Sequence, residues 1–289
     1  MLVARFYSTS QHSRFDKQNI PCSHAKPTNV EFENAIKQLQ SKLFPTKLIR
    51  VLEQLKDTEL ALEIFNWTSN QKGFKHNGTT YSLMIERLGF VGRFGEMQAL
   101  LDEMLNKSCP RTEGIFVIVI KCYCQAQMLD EALKVLETMK SIDCGLFSVI
   151  PYNILLNALA MRGSFQSVCS VYIGMVKAGI LPDVVTMNTL INTLCEANQM
   201  EATLKRFHHM KKRGCSPNHN TFNTLIKGFC RVNRVDEAVK ILDEMLSQGW
   251  VPNVVCYTTL ISGLCKVDRV QERVQQLDMM LKNHCDPLL

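Results

Sequence analysis

The stretch from Val184 to Asn253 is one sentence written twice. VVTMNTLINTLCEANQMEATLKRFHHMKKRGCSPN (184–218) and HNTFNTLIKGFCRVNRVDEAVKILDEMLSQGWVPN (219–253) coincide at Thr186/Thr221, Asn188/Asn223, Leu190/Leu225, Ile191/Ile226, Cys195/Cys230, Met210/Met245, Gly214/Gly249, Pro217/Pro252 and Asn218/Asn253, always 35 residues apart. Self-similarity at that period predicts an array of helical units, none of which can bury its apolar face without its neighbours.

The period extends in both directions. Met104, Met139, Met175, Met210, Met245 and Met280 step by 35 residues except for one step of 36, so the unit 113–148 carries an extra residue. The units read 78–112, 113–148, 149–183, 184–218, 219–253 and 254–288. Before them, residues 31–77 carry helical spacing at Phe32, Ile36, Leu39 and Leu43, a fresh start at Pro45, and a degenerate first unit over about 42–77. Methionine at this spacing is a pliable core filler.

Each unit reads as two antiparallel helices. Tyr152, Leu155, Leu156 and Leu159 fall at i, i+3, i+4, i+7, and Phe222, Leu225, Ile226 and Phe229 repeat the stripe. A short polar turn follows, Arg162-Gly163-Ser164 or Val232-Asn233-Arg234, and then a second helix such as Asp236 to Met245. Asp130 and Asp236 sit near that helix's start, where acid complements the dipole. Gly179, Gly214 and Gly249 offer the left-handed residue of a C-terminal cap, and Pro182, Pro217, Pro252 and Pro287 bar continuation three residues later. The fold class is all-α, a solenoid of stacked hairpins.

Composition narrows what such an array can do. About half of the net charge of +6 lies ahead of the repeats, since residues 1–30 hold Arg5, Arg14, Lys17 and Lys26 against Asp16 alone. This opening lacks the apolar block of a secretory signal, and its Arg, Phe and Leu with one acid suit an organelle presequence or a basic disordered tail. Twelve cysteines include no C-x-x-C pair; Cys195, Cys230 and Cys265 recur at the array period as small apolar residues, and Cys109, Cys215 and Cys285 share a loop position. No metal, no cofactor and no membrane span is expected.

The motif V-V-T-[YFM]-N-T-L-I…LC…DEA…M…G…P-[DN] resembles the P class of the pentatricopeptide repeat family, most clearly over 149–253. A tetratricopeptide array would have a period of 34 and a Trp-x-x-Leu-Gly-x-x-Tyr helix, which this chain lacks. The resemblance implies a right-handed α-solenoid that binds single-stranded RNA in a plant organelle, one base per repeat. It implies that the residue after the first helix's aromatic and the unit's last residue choose the base. Arg5-Phe6-Tyr7-Ser8 resembles a mitochondrial processing site, with the chloroplast as the alternative address.

Asn153, Asn188 and Asn223 each follow a core residue by one position, about 100° round the helix, and so leave the packed face for the inner surface. Their amides have the donors and acceptor to address an unpaired base's edge. Asp183, Asn218 and Asn253 stand just before the next first helix, where they could second that contact or serve as N-caps alone. By resemblance, Asn153 with Asp183 reads uridine, while Asn188 with Asn218 and Asn223 with Asn253 read pyrimidines. Ser82 with Thr112, Val117 with Ser148, and Thr258 with Leu288 depart from the family's common pairs and are assigned no base. The resemblance further assigns Ile150, Val185 and Val255 to stacking on bases, a series that Asn220 breaks. Lys121 and Lys227, on the same side of their helices as the readers, are phosphate candidates; Lys211, Lys212, Arg213 and Lys266 are either that or plain solvated cations.

Two other classes compete. A zinc deaminase, found at the end of some members of that family, needs H-x-E and C-x-x-C, and neither occurs. A protein scaffold uses the same concave surface without reading bases. The last unit adds a third expectation: Arg273 replaces the small Ala132 and Ala238, His284 stands where the cap glycine would be, and no polar capping helix follows. A short or truncated relative that self-associates or meets a protein partner through this end, or is marginally stable, is expected on those grounds.

Overall fold

The computed structural model describes residues 29–40, 43–107, 109–110, 112–142 and 148–283. The presequence pattern at Arg5–Ser8 and the positions His284, Cys285, Pro287 and Leu288 lie outside the described residues. Three helices come first: α1 (Asn29–Gln40), α2 (Pro45–Gln54) and α3 (Thr58–Ser69). Six helical hairpins follow. Their first helices are α4 (Gly78–Val91), α6 (Glu113–Gln125), α8 (Ile150–Met161), α10 (Val184–Glu196), α12 (His219–Arg231) and α14 (Val254–Lys266). Their second helices are α5 (Phe94–Asn106), α7 (Leu129–Ser141), α9 (Phe165–Lys177), α11 (Met200–Lys212), α13 (Val235–Ser247) and α15 (Val270–Lys282). Among the described residues there is no strand.

Each first helix packs on the next first helix, and each second helix on the first helix of its own hairpin. The first helices therefore form one continuous row, with each second helix packed against its own first helix. The periodic apolar residues fill the space between: Tyr152, Leu155, Leu156, Phe222, Leu225, Phe229 and all six ruler methionines are buried. The one-residue insertion falls between Met139 and Tyr152, in the link from α7 to α8, where it disturbs neither helix's register.

Local chemistry sets the hairpin ends. Gly179, Gly214 and Gly249 have φ of 77°, 76° and 77°. The next residue's N–H reaches back to Met175, Met210 and Met245 O, the six-to-one bond of a Schellman cap. The turn inside each hairpin holds a second left-handed residue at a constant place: Gly92, Gln127, Gly163, Asn198, Asn233 and Asp268. A side chain at positive φ costs roughly 1–2 kcal/mol, and of these residues Gln127 (φ 61°) has the least means of offsetting it. Gln127→Gly should raise stability by about 1 kcal/mol, read as an upward shift of the thermal midpoint.

The cysteines of the inner row mark where backbones approach. A Cβ added to Gly228 would lie 2.7 Å from Cys195 Sγ, and one on Gly263 would lie 2.6 Å from Cys230 Sγ. Gly89 meets Cys122 in the same way, so each of these crossings pairs one glycine with one cysteine. Burial pushes the Cys195 and Cys230 thiols up to about 11 and Cys124 to about 12, and keeps them protonated. Cys265 departs from the expectation for its series: it is exposed, because no described first helix packs beyond α14.

Where α3 joins the array, His76 is buried and stacked on Phe65 at 3.7 Å. Its Nε2 donates towards Phe65 O at 3.1 Å, which leaves Nδ1 buried and unpartnered. Burial lowers its pKa to about 4. An unfolded chain therefore takes up a proton near pH 6.5 that the folded one refuses. The contribution is complete above that pH and is lost as pH falls towards 4, costing about 2 kcal/mol after solvent screening. His76→Gln should flatten this part of the acid-unfolding curve followed by circular dichroism.

Candidate nucleic-acid interface

The unit-final residues are helix caps. Asp183 Oδ1 accepts from Thr186 N at 2.8 Å, Asn218 Oδ1 from Thr221 N at 3.1 Å, and Asn253 Oδ1 from Cys256 N at 3.1 Å. Asp183–Thr186 and Asn218–Thr221 are full capping boxes, in which the threonine hydroxyl also accepts from the cap's own N–H. Asn77 and Thr80 build the same box before α4, at an N-x-x-T spacing that signals it in the sequence.

The inner asparagines meet these caps across the gap between consecutive first helices. Asn153 Nδ2 donates to Asp183 Oδ1 at 3.0 Å and to Oδ2 at 3.2 Å, while its Oδ1 accepts from the Thr186 hydroxyl at 2.6 Å. One unit on, Asn188 Nδ2 donates to Asn218 Oδ1 at 3.2 Å and Asn188 Oδ1 accepts from Thr221 Oγ1 at 2.6 Å. Each trio forms a ring of reader amide, cap side chain and threonine. All four reader and cap residues are half-buried, so the ring is rooted between helices with one side open. Capping and side-by-side placement with the reader are thus properties of the same atoms.

The third pair differs. Asn223 Oδ1 faces the Cys256 thiol at 2.6 Å, and no bond joins Asn223 Nδ2 to Asn253. No hydrogen bond joins Ser82 to Thr112 or Val117 to Ser148, and Leu288, paired with Thr258 in the sequence, lies outside the described residues. Ser82 donates to its own helix at Gly78 O, Thr112 makes no capping bond, and Thr258 donates to Val254 O. Ser148 is held by Glu113, which accepts from both its N–H and its hydroxyl.

Val185 and Val255 are exposed, Ile150 is half-buried, and Asn220 is exposed at the equivalent place. The cations sort themselves. Lys227 is exposed on α12, one turn beyond Asn223; Lys121 is exposed on α6, and Lys266 on α14. Lys211, open between a phosphate contact and a plain solvated cation, is instead paired with Glu244 of the next unit and lies over the Phe207 ring. Arg213 bonds His209, while Lys212 is exposed at the end of α11. Arg93, Arg231, Arg234 and Arg269 bridge consecutive units through Glu59, Glu196, Glu201 and Asp236, and so are structural. Among the described residues, no three His, Cys, Asp or Glu side chains could share a metal ion, and no helix is long and apolar enough to cross a membrane.

Family models match much of the chain. One, described as the PPR repeat family, matches residues 148–195, 182–231 and 219–266; another, described as the PPR repeat, matches 79–109, 115–144 and 255–285. Together they cover more than half of the sequence. A mitochondrial pentatricopeptide repeat-containing protein of Arabidopsis thaliana is 28% identical over 180 residues, which is 56% of this chain and 48% of that protein. The crystal structure of the pentatricopeptide repeat protein PPR10 from maize superposes with a TM-score of 0.58 at 30% identity, over 84% of this chain and 34% of that one. PPR10 in complex with an 18-nt psaJ RNA element superposes at 0.55, with 19% identity over 89% of this chain and 41% of that one, a likeness of fold. The chain thus spans about half the length of the Arabidopsis relative and about a third of PPR10.

Proposed function

This chain belongs to the pentatricopeptide repeat family, and from that premise we propose that it binds single-stranded RNA in an organelle and selects bases through its central units. The observation that carries the reading is the pair of hydrogen-bonded rings, Asn153–Asp183–Thr186 and Asn188–Asn218–Thr221, open on one side. A carboxylate only accepts, so Asn153 must turn its NH2 towards Asp183. That pair then offers the groove an amide N–H and a carboxylate oxygen side by side, which complement a uracil carbonyl and its N3–H. Replacing the carboxylate by the Asn218 amide turns the acceptor into a donor, which suits cytosine N3 and keeps a pyrimidine preference. Val185 and Val255 supply apolar contact to neighbouring bases, and Lys121 and Lys227 the charge for phosphates.

The array works as a binder that supports RNA processing, stability, splicing or translation, rather than as a catalyst. Its reading groups are amides and one carboxylate, with no nucleophile and base among them. The mitochondrion is the address favoured by the N-terminal pattern and by the relative's printed name. The test is a titration at stated salt of labelled RNA carrying a U-pyrimidine-pyrimidine core, against purine and duplex controls. Preference for the first is expected; equal, weak binding to all three would favour a protein scaffold.

One observation favours a protein contact in addition. Val270, Val274, Leu277 and Leu281 form an exposed apolar stripe on α15, at spacings of four, three and four. Sedimentation across a range of concentrations tests self-association through it, and a monomer throughout would count against it.

A further inference from the structure

The second and third of these sites differ at one member. The first residue pair is closed by Thr186 and the second by Thr221, but the third has Cys256 at the equivalent place, three residues into the next unit. Neither the reader nor the cap is changed between the second and third: both are Asn with Asn. Yet Asn188 is bonded to Asn218 and Asn223 is not bonded to Asn253.

We infer that the third residue of the following first helix is a positioning residue for base selection, and that it holds the reader's amide in one of its two flips. An isolated Asn amide can rotate by half a turn and exchange its donor edge for its acceptor edge. In the first two rings this is opposed at the cap end and disfavoured at the threonine end. The backbone N–H of Thr186 or Thr221 claims the cap's Oδ1, so the cap presents an acceptor to the reader and can be met only by the reader's NH2. The hydroxyl of the same threonine, which accepts from the cap's N–H, has two acceptors within reach, the cap's Oδ1 at 2.9 or 3.1 Å and the reader's Oδ1 at 2.6 Å, and gives its one hydrogen to the nearer, the reader. One threonine thus fixes cap and reader together. A flipped amide would set oxygen against oxygen at one end.

Cys256 keeps the backbone half of this device, since its N–H still binds Asn253 Oδ1. It weakens the hydroxyl half: the thiol still faces the Asn223 Oδ1, but it is a weaker donor than a hydroxyl and a poorer acceptor for the cap's N–H. The base facing Asn223 is therefore read through a less constrained amide than the base facing Asn188, although both units carry the same reader and cap. Asn220, in place of a valine at the second position, adds to the looseness there. The inference rests on the RNA reading above, and its test separates the two.

The experiment compares affinities for oligonucleotides that differ at a single base, opposite Asn188 or opposite Asn223, for Thr221→Val, Thr221→Ser and Cys256→Thr. Thr221→Val keeps the size and removes the hydroxyl. It should reduce the pyrimidine-to-purine ratio at the Asn188 base roughly fivefold, the worth of a single neutral hydrogen bond, and leave the Asp183-linked base unchanged. Thr221→Ser should restore the ratio. Cys256→Thr should raise discrimination at the Asn223 base by a similar factor. If the ratios stay fixed while affinity or melting temperature falls, the threonine is a cap alone and the inference is overturned, with RNA reading intact. A chain that shows no base selectivity at all sinks the RNA reading instead. The positioning role is then judged on the free protein: the Asn188 side-chain NH2 signals in a 15N spectrum should be split and exchange-protected, and should move to solvent-like values in Thr221→Val. Solvent-like signals in the unmodified chain would overturn it.

Discussion

Replacing Asn153, Asn188 and Asn223 together by alanine is expected to abolish preference for pyrimidines and to weaken binding to a U-pyrimidine-pyrimidine core by about 1–3 kcal/mol per base. The fold should survive. Alanine is the best helix former, the core stripes of α8, α10 and α12 are untouched, and Asp183, Asn218 and Asn253 keep the backbone N–H groups they cap. The changes at Asn153 and Asn188 forfeit the reader's bond to its cap, worth about 1 kcal/mol each between half-exposed groups, and the change at Asn223 forfeits its contact with the Cys256 thiol. The far-UV spectrum should therefore be unchanged, with a small drop in melting temperature. A triple variant that binds as the parent does would remove the reading residues from the account.

Gly228→Val is expected to cost at least about 2–3 kcal/mol through overpacking, and to damage the array at one joint. The new Cβ would lie 2.7 Å from Cys195 Sγ, 3.1 Å from Cys195 Cβ and 3.2 Å from the Met200 methyl. The sulfur can rotate away, but the Cys195 Cβ is fixed to a helix that the rest of the unit holds. The first helices α10 and α12 must separate, and the ring of Asn188, Asn218 and Thr221 spans that same gap. Urea unfolding should show a lower midpoint, and selectivity at the Asn188 base should fall with it. Removing the opposing Cβ, as in Cys195→Gly, should recover part of the loss when combined with Gly228→Val, a coupling that two independent sites would not show.

What the sequence disclosed depended on how far apart the interacting atoms lie along it. The hairpin architecture was legible because its signals are local and repeated: the apolar stripe of Phe222 to Phe229, the left-handed Gly249, and Pro252 after it. The reading amides were legible as a face, one step off the core residue. Three features were not. The left-handed turn residue is Gly, Gln, Gly, Asn, Asn or Asp from unit to unit, so the backbone repeats where the residue type does not. Lys211 looks like a free cation at a helix end, and only the stacking of units places Glu244 beside it. The threonine ring joins residues 30 and 33 positions apart, as in Asn153–Asp183 and Asn153–Thr186. A reading confined to one unit at a time takes Thr186 for a helix-start residue, which it also is. Cap and reader looked like rival readings of Asp183 because each was weighed against a single helix.

Asn218→Asp tests the central claim most directly. Aspartate caps as well as asparagine, so the Thr221 N–H keeps its acceptor and α12 its start, while the pair facing the groove exchanges an amide donor for a carboxylate acceptor. Binding should be measured against four RNAs that differ only at the base opposite Asn188. A shift towards uridine at that base alone, with the others unchanged, is the predicted result. An unchanged preference, or a uniform loss at all four, would mean that these side chains hold helices together without reading a base.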